Sequence, residues 1–426
     1  MATWTADSNK ALTVSLVRSK ADKEALLEGE TYEHFHPQFT YPIYGEEETI
    51  YGYKDLMIDF RFASGSLAQY LHVQFSEKLP SSPTVDDVEG ILANFIPSDY
   101  YKDESAFEKR VEEDAINFKP FGELIYSYTR PPPSKGKRKR SAKTSRNTSA
   151  QGDVTYEVYH TTWSTPGFRE YHKRMQLFIL LYIEAGSYIN DEEDPWEFTV
   201  LYEKRKRPGT DITTYHFVGY SSLYGFYHFP EKTRLRLSQF VILSPYQKQG
   251  HGSQLYKAIY QYVLSKPNIA ELTVEDPAEA FEDLRDKNDM EMLQHHEQFI
   301  KEAFGASGGG RVGGIGRTGK SGRGGAGRTK GKLDPPADKV WIEKWRKDLK
   351  IAGRQFQRLT EMLILLRLDP NDEPALKAYR LQVKERIYRF NYEMLVQLDK
   401  RERLEKLEET FQAVCEDYAR IMGLLH

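Results

Sequence analysis

Apolar residues fall into three patterned stretches separated by two in which no period is found. In the first, about residues 1–130, β-branched and aromatic runs at Met57–Phe62, Tyr70–Phe75 and Leu124–Tyr128 predict strands. Helical spacing recurs there around Val85–Phe95 and Ser105–Asn117, so this block reads as an α+β domain. The second, 153–304, opens with a strand-like Val154–His160. It then sets Phe168, Tyr171, Met175, Phe178, Ile179 and Tyr182 at three- and four-residue spacing, one face of a buried helix. Strands are predicted at Phe198–Tyr202, Phe217–Phe229 and Leu235–Leu243, the first two parted by the turn Arg207-Pro208-Gly209. A helix near Gly252–Ser265, a strand at Leu272–Val274 and a helix from about Ala278 to Asp289 follow. The third, 334–426, is dense in Leu, Glu, Lys and Arg over Trp341–Leu368 and Ala375–Ala419. Broken at Asp369-Pro370-Asn371-Asp372, it predicts a helical hairpin or small bundle.

The unpatterned stretches, taken as linkers over 131–152 and 305–333, change the picture through their charge. Pro131–Gly152 and Gly305–Lys332 each carry seven cations and no acid, and the second also holds 13 of the 30 glycines. Neither can bury enough apolar surface to offset the entropy of ordering, so both are expected to be disordered. The net charge of −3 hides this: without those segments 46 cations face 63 anions, a body at −17. Such a body attracts a cationic partner and repels a nucleic acid backbone. The basic segments themselves are suited to weak, salt-sensitive nucleic acid contact, and Lys137-Arg138-Lys139-Arg140 fits an import signal. One cysteine, Cys415, excludes an internal disulfide framework and a cysteine-clustered zinc site. The longest apolar run, Met175–Ala185, falls short of the roughly 20 residues a membrane span needs, and the polar Met1–Lys10 argues against secretion.

Candidate chemistry concentrates where the strand Phe240-Val241-Ile242-Leu243 runs through Ser244-Pro245-Tyr246-Gln247-Lys248-Gln249-Gly250-His251-Gly252-Ser253 into an amphipathic helix. Main-chain N–H groups in such a turn, with the positive end of the helix dipole, form an anion site, and glycines let a diphosphate approach. Pro245 removes one donor and helps the strand leave its sheet. Gly-x-Gly before a helix is also ordinary turn chemistry. A second candidate is Glu275, at the end of the strand Leu272–Val274 and beside Asp276 and Pro277. Ligands gather at such strand ends, and adjacent carboxylates raise each other's pKa toward the range of a base. Alternatively, Asp276 caps a helix that starts at Pro277 and Glu275 is merely solvated. Glu184 ends an otherwise apolar face, where a buried acid without a role is costly.

Gln247, Gly250 and Gly252 match the Gln-x-x-Gly-x-Gly signature of the GNAT N-acetyltransferase superfamily. Thr273-Val274-Glu275-Asp276-Pro277, Leu284-Arg285-Asp286, Val218-Gly219-Tyr220, Tyr44-Gly45-Glu46-Glu47-Glu48, Arg358-Leu359-Thr360-Glu361 and Leu404–Glu409 extend the likeness. Together they make the chain resemble the type B histone acetyltransferase catalytic-subunit family over nearly everything but the basic linkers. The resemblance implies a GNAT core between the N-terminal α+β domain and a C-terminal helical domain, with acetyl-CoA as co-substrate and no metal. It implies that Phe240, Val241 and Ile242 pair with the pantetheine arm and that Gln247 to Ser253 cradle the pyrophosphate. Glu275, with Asp276 and Glu184, would deprotonate the substrate lysine, whose ammonium cannot attack while charged. Glu46, Glu47, Glu48, Trp196, Tyr224, Gly225 and Phe226 would meet the substrate. Acids and rings suit a Gly-Lys-rich tail. Ala278 and Ala280 stand where relatives carry Asn or Ser, so a side-chain bond to the cofactor there is absent or replaced. The implied substrate is the tail of newly made histone H4, the implied partner a WD-repeat histone chaperone, and the implied residence cytoplasm and nucleus. The rival readings are an acidic histone-binding chaperone without catalysis and a GNAT enzyme acting on another basic protein.

Gly314-Ile315-Gly316-Arg317-Thr318-Gly319-Lys320-Ser321 fits the P-loop pattern by letter, yet no buried strand precedes it and no helix follows, so an NTPase is rejected. The Gly319-Lys320-Ser321-Gly322 context also makes Lys320 a candidate for autoacetylation, against the simpler reading of a flexible basic spacer.

Overall fold

The computed structural model describes residues 4–80, 84–131, 154–305 and 331–423. Lys137–Arg140, the Gly314–Ser321 run and Lys320 lie outside the described residues. The chain folds as two units, Met1–Phe226 with Leu235–Tyr262 and Tyr227–Arg234 with Val263–His426.

In the first unit, Leu12–Val17 (β1) lies parallel to Met57–Ala63 (β2), which pairs antiparallel with Gln69–Gln74 (β3). Alternation explains β2: Ile58, Phe60 and Phe62 are fully buried, while Arg61, on the opposite row, pairs with Asp59 at 2.6 Å. Helix Glu104–Asn117 (α1) is capped by Asp103, which accepts from Ala106 N–H at 2.7 Å. It buries Phe107 and Val111 against Val17, Ala63, Ala68 and Tyr70.

A larger sheet follows the chain, with Glu123–Arg130 (β4), Val154–Thr162 (β5), Trp196–Lys206 (β6), Thr213–His228 (β7) and Lys232–Ile242 (β8) as successive neighbours. The β4–β5, β5–β6 and β6–β7 pairs are antiparallel. The sheet therefore takes β4 from before the first basic segment and β5 from after it. Between β7 and β8 the backbones approach so closely that a Cβ on Gly219 would lie 2.2 Å from the Val241 carbonyl oxygen. All six apolar positions of the predicted helical face are buried, but as two helices, Phe168–Met175 (α2) and Leu177–Tyr182 (α3), divided at Gln176. Phe178 of α3 meets Phe62 at 4.8 Å and Phe217 at 5.6 Å between ring centroids, and so ties the small sheet to the large one. Helix His251–Ser265 (α4) crosses β4 to β6, with Tyr126 donating to Gln254 at 2.8 Å and Tyr262 to Glu197 at 2.8 Å.

The second unit contains strand Ile269–Val274 (β9) and helices Glu279–His295 (α5), Glu297–Phe304 (α6), Lys339–Asp348 (α7), Gly353–Arg367 (α8), Glu373–Phe390 (α9) and Lys400–Gly423 (α10). The predicted helix Trp341–Leu368 is interrupted where Lys350 takes φ 54° and its carbonyl accepts from Leu272 N–H at 2.9 Å. Ala375–Ala419 is likewise broken, with a short helical turn at Tyr392–Leu395 between α9 and α10, and Arg403 satisfies carbonyls of this connection by donating to Leu395 O at 2.9 Å and Leu398 O at 2.8 Å. Asp286, from the Leu284-Arg285-Asp286 run, is fully buried and pairs with Arg358 at 2.6 Å, joining α5 to α8. Among the described residues no helix is long and apolar enough to cross a membrane.

Candidate active site

After β8 the chain makes a short turn at Ser244–Tyr246 and enters α4 at His251. Two glutamine side chains close this turn on its own carbonyls. Gln247 Nε2 donates to Ile242 O at 2.8 Å and Gln249 Nε2 to Pro245 O at 2.8 Å. Gln247 thus shapes the loop with its amide, and what the loop offers outward is main chain. Lys248 and Gly250 take positive φ, 58° and 83°, which swings successive peptide planes. Gln254 N–H donates to Gly250 O at 3.3 Å, the first turn of α4, so the turn leads directly into the N-terminus of a helix, the positive end of its dipole. An anion is the natural partner of that arrangement, and the residues present fit the diphosphate of an acyl-CoA.

The turn is held from beneath by a buried knot of charge. Arg18, just beyond β1, forks onto Glu203 of β6, Nη1 to Oε1 at 3.1 Å and Nη2 to Oε2 at 2.9 Å. Tyr246, the residue before Gln247, donates its hydroxyl to Glu203 at 2.8 Å and accepts from Arg18 at 3.0 Å. Arg205 completes the knot by pairing with Glu203 and, at 2.9 Å, with Glu30. Burial alone would raise the Glu203 carboxyl, yet Arg18 and Arg205 hold it well below the usual carboxylate range. His251 is also buried: its Nδ1 is 2.7 Å from the Tyr128 hydroxyl and its ring 4.4 Å from that of Tyr156. Burial first, then the Arg130 guanidinium, push its pKa down to about 4, so the imidazole is neutral at pH 7. Tyr246 and His251 belong to the turn that the sequence marks, whereas Arg18, Glu203 and Arg205 are scattered charges that no motif in the sequence singles out.

The same unit gathers several of the other predicted residues. Glu46 and Glu47 are exposed. Glu48, at φ 47°, instead ties the turn together, accepting from Thr40 N–H at 2.7 Å, Tyr41 N–H at 3.1 Å and Asn9 Nδ2 at 2.6 Å. Glu184 is exposed, so the expectation of a buried acid does not hold; the helix ends at Tyr182 and turns the side chain outward. Its neighbour Ala185 donates N–H to the Tyr41 hydroxyl, which brings Glu184 beside the Glu46–Glu48 turn. Gln239, one residue before Phe240, donates to Ser187 O at 2.8 Å and accepts from Ser222 at 3.0 Å. The Glu184 loop is thereby bonded to the strand that carries Phe240, Val241 and Ile242. Trp196 stands opposite Tyr224 in the β6–β7 register, their rings 4.8 Å apart, and Tyr224 is 4.6 Å from Phe226. Gly225 N–H donates to Pro195 O at 3.2 Å. The Trp196 indole N–H is buried without an acceptor among the described residues.

The second unit carries Glu275 and Asp276. Glu275 directly follows β9 and is half-buried. The strand is anchored at Glu271, which accepts from Arg234 at 2.6 Å and Arg346 at 2.7 Å. Asp276 is exposed at φ 29° and does not cap a helix: α5 begins only at Glu279, with Ala278 as a cap that makes no side-chain bond.

The family model for the N-terminus of histone acetyl transferase HAT1 matches residues 4–184, that of the GNAT acetyltransferase family residues 156–281, and that of the fungal HAT1 C-terminal region residues 328–369. The chain is 49% identical to the histone acetyltransferase type B catalytic subunit of Cryptococcus neoformans, over 99% of this chain and 98% of that one. It is 42% identical to the subunit of the same name from Mycosarcoma maydis, over 99% and 88% of the two chains. To the Rattus norvegicus subunit it is 29% identical, over 100% and 94%.

Proposed function

The chain belongs to the type B histone acetyltransferase catalytic-subunit family, and from that premise we propose that it moves the acetyl group of acetyl-CoA to lysines in the tail of histone H4. The observation that carries this is the turn Gln247–Gly252: its glutamines are spent on the carbonyls of Ile242 and Pro245 just before it, Gly250 lies at positive φ, and the turn heads α4. Phe240, Val241 and Ile242 align the pantetheine arm, and the turn through Ser253 holds the diphosphate. Trp196, Tyr224, Gly225 and Phe226 pack the lysine stem, while Glu46 and Glu47 attract the flanking cations of the tail.

Transfer is direct. Glu275, aided by Asp276 and Glu184, accepts the ammonium proton. The freed amine attacks the thioester carbonyl, a C–N bond forms, the C–S bond breaks, and coenzyme A leaves as its thiolate, which takes up the second proton shed by the nitrogen. The chain works beside a WD-repeat histone chaperone, in cytoplasm and nucleus, and its basic linkers add weak contact with nucleic acid. The test is mass spectrometry of a histone H4 tail peptide after incubation with acetyl-CoA and the full chain. Acetyl-lysine that depends on enzyme is expected; an unmodified peptide under saturating donor would refute the assignment.

A further inference from the structure

Main-chain dipoles offset only part of the charge of a diphosphate, and a cation beside them adds charge-assisted bonds about twice as strong as neutral ones. The turn's own residues supply little of that. Lys248 is exposed, and His251 is buried, bonded to Tyr128 and neutral. A cation that reaches the turn comes instead from the far side of the first basic segment. Arg130, the last residue of β4, reaches the turn and donates from Nη2 to Gly250 O at 3.3 Å. A Cβ on Gly250 would lie 2.5 Å from that Nη2 and 2.9 Å from Cζ, so the guanidinium occupies the space the glycine leaves. The Tyr128 ring, 5.9 Å away, flanks it. Its Nε is buried and has no acceptor among the described residues. An arginine has five N–H donors in a planar fork suited to phosphate oxygens, and here that fork lies on the backbone of an anion turn.

We infer that Arg130 is a phosphate ligand of the acyl-CoA, a cation brought to the Gln247–Ser253 turn by the edge strand of the sheet. The inference rests on the reading of that turn as the acyl-CoA site. It gives Gly250 two tasks, the positive φ of the turn and the room for the guanidinium. It also makes the end of β4 part of the site, two residues beyond the predicted strand Leu124–Tyr128 and one short of the first basic segment.

The experiment uses the full chain as wild type, Arg130→Gln and Arg130→Lys, all checked for an unchanged unfolding midpoint. Affinity for coenzyme A and for 3′-dephospho-coenzyme A is measured by calorimetry, and kcat/KM is measured with S-acetylpantetheine, a donor that has neither phosphate group. Arg130→Gln is expected to weaken coenzyme A about tenfold, Arg130→Lys to restore part of the loss, and S-acetylpantetheine turnover to stay unchanged. A loss shared by both nucleotides assigns the diphosphate, and one confined to coenzyme A assigns the ribose phosphate. Unchanged affinity, or an equal loss with S-acetylpantetheine, would overturn the inference. A wild type that binds no coenzyme A would instead remove the reading of the turn, before any variant is compared.

Discussion

The two units are each pinned by the same buried device, and only one of the copies reaches the candidate site. In the first, Arg18 forks onto Glu203 and the Tyr246 hydroxyl bridges them. In the second, Arg386 forks onto Glu361 at 2.8 Å through both nitrogens, and Tyr418 donates to Glu361 at 2.7 Å while accepting from Arg386 at 3.1 Å. The second copy joins α8, α9 and α10; the first joins the N-terminal segment, β6 and the turn ahead of Gln247. They differ in depth as well. Arg18 and Glu203 keep 1% and 0% of their side-chain exposure, Arg386 and Glu361 keep 13% and 3%, and Arg205 adds a second cation to the first copy alone. Buried pairs of this kind add little net stability over apolar packing but punish the loss of one partner, so they set register. One chemistry therefore serves scaffold in one unit and scaffold plus site in the other.

Acid should separate the units most strongly. His172 and His216 are pushed by burial down to about 3 and His251 to about 4, and all three belong to the first unit. The unfolded chain takes protons at these positions below about 6.5 while the fold refuses them, so stability is present above that value and lost as pH falls toward the folded values. Between pH 7 and pH 5 the three together cost on the order of 5 kcal/mol. Hydrogen exchange followed peptide by peptide should show the first unit opening well before α8 to α10; simultaneous opening would contradict the contrast.

Glu203→Ala comes next. It strands Arg18 and Arg205 without a carboxylate and should cost about 3–5 kcal/mol in urea unfolding. Glu361→Ala leaves an arginine that keeps an edge in solvent, so its loss should be smaller, and equal losses would break the comparison. Tyr246→Phe and Tyr418→Phe are the mildest pair. Each removes one hydroxyl from a charged partner, about 1–2 kcal/mol, yet only Tyr246→Phe should also raise the KM for acetyl-CoA with kcat retained. A matching rise in Tyr418→Phe would show that general loosening, not the turn, is being read.

Much of this architecture was legible because periodicity is local. The rows Ile58-Phe60-Phe62 and Phe168 to Tyr182 announce their burial by spacing alone, and the turn from β8 into α4 shows in its letters, with Gly250 at positive φ. What depends on distant partners was not. Nothing near Arg18 points to Glu203, and Arg130, beyond the predicted strand Leu124–Tyr128, carries no mark until β4 is seen beside the turn. Glu48 reads as one of three surface acids until its bonds to Thr40 and Tyr41 fix it as a turn residue. Asp276 reads as a helix cap because capping is inferred from residue type, whereas its positive φ is set by how the chain leaves β9.

The account stands on proton removal by Glu275 from a lysine presented to acetyl-CoA. Turnover of histone H4 tail peptide by wild type and Glu275→Gln, with acetyl-CoA affinity measured on both, addresses it most directly. A drop in kcat of about 10²–10⁴-fold, the usual worth of a general base, with affinity unchanged is the predicted result. A variant that turns over as fast as wild type would contradict it.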